Sequence, residues 1–206
     1  MKYPTLFEEK KLWKRGYKRV VGLDEAGRGP LAGPVVAGAV VITGNKLEGL
    51  LKEVNDSKKL SAKKREKLYT FLTKNLKVKW GIGIVSEKMI DKINIKNASE
   101  LAMEKAMDNL KIKPDFLIID GNNIKNQKLK SIEHKLIVKG DSKVFSCAAA
   151  SILAKVSRDR IMAGFHKKYP KYRFDLHKGY PTKLHYSIIK KYGPCKIHRK
   201  SFALNK

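Results

Sequence analysis

Cysteine is scarce in this chain, and no apolar run is long enough to cross a membrane. The 206 residues include two cysteines, Cys147 and Cys195, whose spacing forms neither a metal-binding nor a disulfide pattern. Residues 1–19 are charged and lack the apolar centre of a signal peptide. We therefore expect no disulfide, no membrane anchor and no secretion signal, and we predict a reduced, cytoplasmic protein.

Acidic residues are also few. The chain has 19 Asp and Glu residues against 46 Lys and Arg residues, which gives a formal net charge of +27. An excess of this size repels itself and is typical of proteins whose partner is a polyanion, so it favours nucleic acid as the partner. A second interpretation stays open here, because lysines that merely solvate the surface in a lysine-rich genome produce the same composition.

The chain has enough apolar sequence for one folded domain of ordinary size. Hydrophobic residues make up 42% of it, which indicates a globular rather than a disordered protein. The order of apolar runs and turn residues predicts an α/β core over residues 1–166 and a small helical C-terminal segment over 167–206. The predicted strands are 19–24, 35–43, 78–85, 116–119 and 136–138, and the predicted helices are 62–75, 97–110, 142–166 and one that ends near 192.

Two further details of this prediction concern neighbouring elements. The first three strands follow one another closely, which favours an antiparallel meander. Ser61 is a suitable cap for the first long helix, whose apolar face contains Leu68, Phe71 and Leu72. The alanine-rich middle of the helix over 142–166 has small side chains, so we expect that helix to lie close to the sheet.

Carboxylates follow three of the predicted strands at the point where each strand ends. Asp24 and Glu25 end the first strand, Asp120 ends the fourth, and Asp141 follows the fifth. We expect the fourth and fifth strands to run parallel to the first, so these acids share the edge of the sheet where open α/β sheets bind ligands. Neighbouring residues of a regular strand point to opposite faces, so Asp24 and Glu25 can share one site only if the strand bends or ends there.

Four carboxylates gathered at one edge repel one another, and a divalent cation removes that conflict. Oxygen ligands with no histidine or cysteine beside them favour Mg²⁺ or Mn²⁺ over zinc. Two such ions, ~4 Å apart, can activate a water molecule and neutralise the leaving oxygen of a phosphodiester. Two alternatives remain open: Asp120 suits an ordinary turn before Gly121, and Asp141 suits the N-cap of the long helix that follows.

Six motifs together resemble the ribonuclease HII family in its bacterial form. They occur in the family's order, and with the basic tail at 198–202 they extend from residue 22 over nearly the whole chain. The motifs are Gly22-Leu23-Asp24-Glu25-Ala26-Gly27-Arg28-Gly29-Pro30, Asn55-Asp56-Ser57-Lys58-Lys59-Leu60-Ser61, Ile119-Asp120-Gly121-Asn122, Lys139-Gly140-Asp141-Ser142, Ala148-Ala149-Ala150-Ser151-Ile152-Leu153-Ala154-Lys155-Val156 and His177-Lys178-Gly179-Tyr180-Pro181-Thr182.

The resemblance implies a ribonuclease H-like fold, with a five-stranded mixed sheet flanked by helices and a C-terminal helical segment. It also implies an endonuclease, dependent on Mg²⁺ or Mn²⁺, that cuts the RNA strand of RNA–DNA hybrids. The implied cut lies 5′ to a ribonucleotide, including a single one embedded in duplex DNA, and leaves 3′-hydroxyl and 5′-phosphate ends. Asp24, Glu25, Asp120 and Asp141 match the family's four catalytic, metal-binding acids.

Other positions match parts of the family that contact nucleic acid. Gly27, Arg28 and Gly29 match the turn that reads the 2′-hydroxyl at the RNA–DNA junction, and bare glycine backbone can approach that group closely. Tyr180 matches a tyrosine that packs against the sugar following the ribonucleotide, although a packing role between the C-terminal helix and the core also suits it. The candidates for phosphate contacts, each of which could equally be a solvated lysine, are Lys59, Lys139 and Lys155.

There are three rival interpretations, one from a sister family and two from other classes of protein. The sister family, ribonuclease HIII, typically has Gly-Lys-Gly in this turn and an N-terminal substrate-binding domain, so Arg28 and the short segment before the first strand argue against it. A non-catalytic nucleic-acid binder would use the basic surface alone. A nucleotide-binding domain with its phosphate loop over 22–33 is excluded, because Asp24 and Glu25 would lie against the phosphates and the glycine spacing does not fit. We expect a monomer.

Overall fold

The computed structural model describes residues 3–43, 54–55 and 57–204, and the side chain of Lys59 lies outside the described part. Five strands and seven α-helices make up this part of the chain. The strands are β1 (Val20–Ala26), β2 (Val35–Ile42), β3 (Val78–Val85), β4 (Phe116–Asp120) and β5 (His134–Ile137). The helices are α1 (Phe7–Lys14), α2 (Ala62–Lys74), α3 (Glu87–Asn109), α4 (Gln127–Lys130), α5 (Phe145–Lys168), α6 (Phe174–His177) and α7 (Lys183–Tyr192).

The strands form one mixed sheet in the order β3-β2-β1-β4-β5. β1, β2 and β3 pair antiparallel, while β4 lies parallel to β1 and β5 lies parallel to β4. The predicted meander and the predicted parallel arrangement of the last two strands are therefore confirmed. With helices on both faces, this is the five-stranded ribonuclease H-like architecture that the sequence resemblance implies.

Two helices cover the sheet. On one face, α3 packs on Val21, Leu23 and the residues of β2 that point the same way. On the other face, α5 lies so close that a Cβ on Gly38 would overlap the backbone of Ala150. The first ten residues of α5, 145–154, are all buried, which agrees with the close approach expected from its alanines. Since side chains alternate along a strand, Asp24 points to the α5 face and Glu25 to the α3 face.

The predicted end of the first strand is wrong in one respect. β1 stays paired with β2 through Ala26, with Asp24 opposite Gly38 and Glu25 opposite Ala37. Its pairing with β4 is shorter, and the last paired residue on that side is Leu23. The strand therefore does not bend at the two acids; instead, the neighbouring strand β4 ends beside them and opens the edge of the sheet.

Other boundaries also differ from the prediction. β5 begins two residues earlier and ends one residue earlier than predicted, because its edge position leaves it half exposed and rich in polar residues. Phe71 is 40% exposed, at the margin of the α2 face on which Leu68 and Leu72 are buried. α3 begins at Glu87 rather than at residue 97, and Asn94, with φ 65°, interrupts it. The Asn94 side chain accepts a hydrogen bond from the Asn97 amide, so the predicted helix corresponds to the second half of α3.

The C-terminal segment folds back onto the turn that follows β1. The Leu31 amide donates to the Gly179 carbonyl, and the Gly33 amide donates to the Ile197 carbonyl. Beneath these contacts, Ala32 and Ile197 pack with Met162 and Phe174 in a small apolar cluster, which fixes the segment against α5. No helix among the described residues combines the length and the apolar character that a membrane span requires.

Candidate active site

Three of the four predicted acids lie together at the edge of the sheet. Asp24, Asp120 and Asp141 each offer a carboxylate oxygen, and these oxygens all lie within 4.8 Å of one another. Asp24 comes from the central strand β1, Asp120 from the end of β4, and Asp141 from the single helical turn Gly140–Ser142 between β5 and α5. Parallel pairing of β1, β4 and β5 brings these three chain segments to the same edge.

Asp24 is the most constrained of these acids. Its carboxylate is buried and accepts a hydrogen bond from the Glu25 amide at 2.7 Å. Burial raises the pKa of Asp24 well above its usual range, and the charges of Glu25 and Asp120 raise it further, whereas a hydrogen bond from Ser151 opposes the shift. The carboxylates of Asp24, Asp120 and Asp141 repel one another when all three are charged, so the site favours a cation bound among them.

Asp120 is held next to Asp141 by a hydrogen bond from the backbone amide that directly precedes Asp141. The Gly140 amide donates to Asp120 at 2.9 Å, and the Lys58 ammonium lies 3.2 Å from Asp141. Asp141 does not cap the long helix, because α5 begins at Phe145 with Val144 in the cap position. A buried Glu9 from α1 accepts from the Ser146 amide at 2.8 Å instead. Asp141 is therefore left to face the other two aspartates.

Glu25 is not part of this group of three. It points to the α3 face and pairs with the Arg28 guanidinium at 3.3 Å. Burial raises the pKa of Glu25 and the charge of Arg28 lowers it, with burial the larger effect. Glu25 still borders the cluster, because it lines a cavity of about 60 Å³ together with Asp120 and Glu100.

The turn after β1 contains two glycines with different surroundings. Gly27 has φ +103°, and a Cβ at this position would overlap the Arg158 guanidinium. Gly29 has no heavy atom within 4 Å of where its Cβ would lie. Gly27 is therefore required by the fold, whereas Gly29 leaves open space at the surface beside the exposed Arg28.

Two buried arginines fix this turn from beneath. Arg199 donates to the carbonyls of Gly27, Arg28, Gly33 and Pro34, at 2.6 to 3.2 Å. Arg158 donates to the carbonyls of Ala32, Pro34 and Lys178, at 2.9 to 3.0 Å. Both side chains are fully buried. Because the carbonyls of the turn point inward to these two cations, the conformation of the turn depends on α5 and the C-terminal segment as well as on its own glycines.

The remaining predicted contact residues have unequal surroundings. Tyr180 is half buried, with Lys155 Nζ and Arg158 Cζ each 5.5 Å from its ring centroid. Lys155 is largely buried and pairs with Asp159 at 2.6 Å, and burial lowers its pKa. Lys139 is exposed, with φ 57°, two residues before Asp141. The predicted role of Lys59 falls on a side chain outside the described part of the structure.

The donor set fits a hard divalent cation. The cluster consists of carboxylate oxygens alone, at a separation that one or two ions can span, and burial together with the charges of Glu25 and Asp120 raises the pKa of Asp24. Mg²⁺ and Mn²⁺ prefer such oxygen ligands. Asp24, Asp120 and Asp141 would hold the metal, while Glu25, on the opposite face of β1, lines the same cavity as Asp120.

Sequence reasoning missed four residues that shape this site. Lys58 lies in the second of the six motifs, but its neighbour Lys59 was the predicted phosphate contact. Glu9, Arg158 and Arg199 have no local pattern that marks them, because each acts on backbone groups more than 100 positions away. An arginine or glutamate in an otherwise apolar helix face is the one signal that could have suggested burial.

Known proteins match the chain over most of its length. The family model described as ribonuclease HII matches residues 21–205. A protein named ribonuclease HII from Caldicellulosiruptor bescii is 51% identical over 197 residues, which cover 96% of this chain and 92% of that protein.

Solved structures match in fold. The crystal structure of ribonuclease H2 from Pyrococcus horikoshii OT3 has a TM-score of 0.72 and 29% identity, over 90% of this chain and 94% of that one. A ribonuclease HIII, Bst-RNase HIII, crystallised in complex with Mn²⁺, has a TM-score of 0.70 and 19% identity, over 90% of this chain and 67% of that one. At 19% identity, the match to Bst-RNase HIII shows a similar fold and nothing more.

Proposed function

The chain belongs to the ribonuclease HII family, endoribonucleases that act on the RNA strand of RNA–DNA hybrids, and we propose that it cuts 5′ to ribonucleotides, including single ones embedded in duplex DNA. The products carry 3′-hydroxyl and 5′-phosphate ends. The observation that carries this proposal is the convergence of Asp24, Asp120 and Asp141 beside a turn whose Gly29 is open to solvent.

Asp24, Asp120 and Asp141 bind Mg²⁺ or Mn²⁺ in this proposal, and Glu25 completes the set of acids. When bound, two such ions activate water and neutralise the leaving oxygen of a phosphodiester. The cluster of three carboxylates, with oxygen as its donor atom, supports a metal of this class. Lys58, 3.2 Å from Asp141, balances part of the negative charge and lies where a phosphate would approach.

Recognition of the ribonucleotide is assigned to two elements that meet at the same edge. The backbone of Gly27 and Gly29 and the side chain of Arg28 read the 2′-hydroxyl, which is the group that distinguishes RNA from DNA. Tyr180 packs against the sugar that follows, where a second 2′-hydroxyl would clash. Support for this pairing comes from the Leu31 amide, which donates to the Gly179 carbonyl and ties the turn to the tyrosine segment.

The basic surface binds the duplex in this proposal. The exposed Lys139 suits a phosphate contact, whereas Lys155 acts through Asp159 and the ring of Tyr180. The C-terminal segment, 167–206, serves substrate binding, and the core, 1–166, serves catalysis. We propose a monomer in the cytoplasm.

A cleavage assay tests the catalytic proposal. The substrate is an end-labelled DNA duplex with one ribonucleotide, incubated with Mg²⁺, with Mn²⁺ or with EDTA. We expect a single cut 5′ to the ribonucleotide with either metal and none with EDTA. Asp120→Asn should bind the duplex but lose cleavage by at least about 10³-fold, because a metal ligand is removed.

Asp108→Asn is the matched control, because Asp108 is exposed on α3 and its carboxylate pairs with Lys128 of α4, away from the three aspartates. It should cleave at the wild-type rate. Turnover of Asp120→Asn near the wild-type rate would remove Asp120 from the metal site. Binding without any cut by the wild-type protein would favour the non-catalytic alternative.

A further inference from the structure

Three buried histidines lie beneath the segment that carries Tyr180. From their hydrogen bonds we propose that His198 and His185 form a directional relay of neutral imidazoles that positions Tyr180 for ribonucleotide recognition. The proposal rests on the proposed role of Tyr180, and it assigns to the two histidines a positioning role rather than a catalytic one.

The contacts of the relay form a chain from the C-terminal tail, residues 194–204, to the tyrosine. The Cys195 amide lies 2.9 Å from Nδ1 of His198. Nε2 of His198 lies 3.1 Å from Nε2 of His185, and Nδ1 of His185 lies 3.0 Å from the Tyr180 carbonyl oxygen. All members of the chain are therefore at hydrogen-bond distance.

Only one assignment of protons satisfies all three contacts. A backbone amide always carries its hydrogen, so Nδ1 of His198 accepts from Cys195 and the His198 proton is on Nε2. That proton is donated to Nε2 of His185, which must therefore be unprotonated. The proton of His185 is then on Nδ1, where it is donated to the Tyr180 carbonyl. Nδ1 of His198 also lies 3.2 Å from the Cys195 carbonyl oxygen, which accepts from the His198 amide. The Cys195 amide is closer to Nδ1, at 2.9 Å, and a protonated Nδ1 would face its N–H, so Nδ1 is the acceptor.

The surroundings keep these rings neutral. His185 is fully buried, and its ring stacks on His177 at a centroid separation of 4.1 Å. Burial and the neighbouring His177 lower the pKa of His185 to about 4, and burial also lowers the pKa of His198 and His177. A second proton on His185 would also face the Nε2–H of His198. At neutral pH the direction of the relay is therefore fixed.

The tautomer of His177, which is not a member of the relay, also follows from its hydrogen bonds. Its Nδ1 accepts from the Gly179 amide at 3.1 Å, so its proton is on Nε2 and is donated to the Tyr172 carbonyl at 2.8 Å. Two charged groups act on its pKa in opposite directions: Asp175 raises it and Lys178 lowers it.

The relay supplies the last of three consecutive backbone contacts. The carbonyl of Lys178 accepts from Arg158, and that of Gly179 accepts from the Leu31 amide. The carbonyl of Tyr180 accepts from His185 and from the Thr182 amide. The first two contacts fix the path of the backbone before Tyr180. The third is made by Tyr180 itself, whose ring packs against the sugar in the proposed function, so loss of the relay should affect the position of Tyr180 first.

Two substitutions of similar shape test the relay. His185→Asn keeps an N–H near the place of Nδ1, and His185→Leu removes it. The readout is the ratio of kcat/KM for a duplex with one ribonucleotide to kcat/KM for an all-RNA hybrid. We expect His185→Leu to lower this ratio about five- to tenfold, the factor expected for about one hydrogen bond, and His185→Asn to retain most of it.

The same substitution in a Tyr180→Ala background separates positioning from general destabilisation. If His185 acts through Tyr180, His185→Leu should change the ratio less than about twofold in that background. Equal effects in both backgrounds, or no effect of His185→Leu on the wild type, would overturn the relay alone. A Tyr180→Ala variant with the wild-type ratio would overturn the proposed role of Tyr180 and the relay with it.

A measurement on the wild-type protein does not depend on whether the variants fold. Long-range ¹H–¹⁵N spectra of ¹⁵N-histidine-labelled protein at neutral pH distinguish the two neutral tautomers. We expect the Nδ1–H form for His185 and the Nε2–H form for His198 and His177. An Nε2–H or doubly protonated His185 contradicts the proposal.

Discussion

At the scale of single residues, the two glycines of the turn after β1 differ in the space around them and in what each is needed for. Gly27 has a positive φ and no room for a Cβ beside Arg158, whereas Gly29 faces open space. The first is needed for folding and the second, in our proposal, for the approach of substrate.

Gly27→Ala should therefore lower the free energy of unfolding by about 1–3 kcal/mol, because alanine is strained at this φ. Gly29→Ala should leave it unchanged within about 0.5 kcal/mol. Cleavage of the single-ribonucleotide duplex should nevertheless fall about 10- to 100-fold in Gly29→Ala, since its methyl group displaces the sugar. Thermal melts and kcat/KM values check the pair; a fully active Gly29→Ala would place substrate elsewhere.

Asp24 shows how a site residue costs stability when no cation is present. Its pKa is raised in the folded state, so its contribution to stability is present below the unfolded pKa and is lost as pH rises through the folded pKa. At pH 7.5 in EDTA, Asp24→Asn should therefore melt higher than the wild type, by about 2–5 °C.

The difference between the two proteins should shrink as pH is lowered. Mn²⁺ should raise the melting temperature of the wild type and have much less effect on Asp24→Asn, because the substitution removes a carboxylate ligand. Equal shifts with Mn²⁺ in both proteins would show that the metal binds elsewhere.

At the scale of elements, the C-terminal tail acts as part of the site without contributing an acid to it. The tail contains Arg199, whose guanidinium donates hydrogen bonds to four carbonyls of the turn after β1. Burial lowers its pKa to about 9, so it is still charged at neutral pH. The tail and the turn are therefore expected to be formed or lost together.

Arg199→Lys should lower the free energy of unfolding by about 2–4 kcal/mol, because lysine cannot supply the planar fork of donors and leaves buried carbonyls unpaired. Arg160→Lys is the control, since Arg160 makes an exposed ion pair with Glu66 that is worth less than about 1 kcal/mol. Urea unfolding compares the two; losses of equal size would mean that the carbonyl contacts of Arg199 are unimportant.

At the scale of the whole molecule, a net charge of +27 surrounds a cluster of acids. If lysines bind the phosphates, the logarithm of the affinity should fall with the logarithm of salt concentration, with a slope of about −0.9 per phosphate and on the order of −3 to −6 in total. Fluorescence anisotropy with Asp120→Asn, which should not cleave, measures it. Lys58→Gln should reduce the slope by about one unit, whereas a flat dependence would contradict binding through lysines.

The fold was largely predictable because strong local patterns coincide with its elements. The β-branched runs of β1 and β2 and the Ser61 cap of α2 are confirmed, the latter by a hydrogen bond from the Lys64 amide to the Ser61 hydroxyl. The weaker patterns failed where tertiary context decides. The half-exposed edge strand β5 begins two residues before its predicted start, and the first half of α3, which is interrupted at Asn94, lies outside the predicted bounds.

The sequence alone determined which acids are available and that they lie at or near the ends of three apolar runs, since apolar runs and turn residues are local properties. Only the tertiary structure decided how they are grouped: Asp24, Asp120 and Asp141 converge, while Glu25 points to the opposite face because β1 continues past it. It also decided that the turn is fixed by Arg158 and Arg199 and that Tyr180 is bonded by His185. Such contacts join residues far apart in the chain, and their energies depend on burial and direction, which no local pattern encodes.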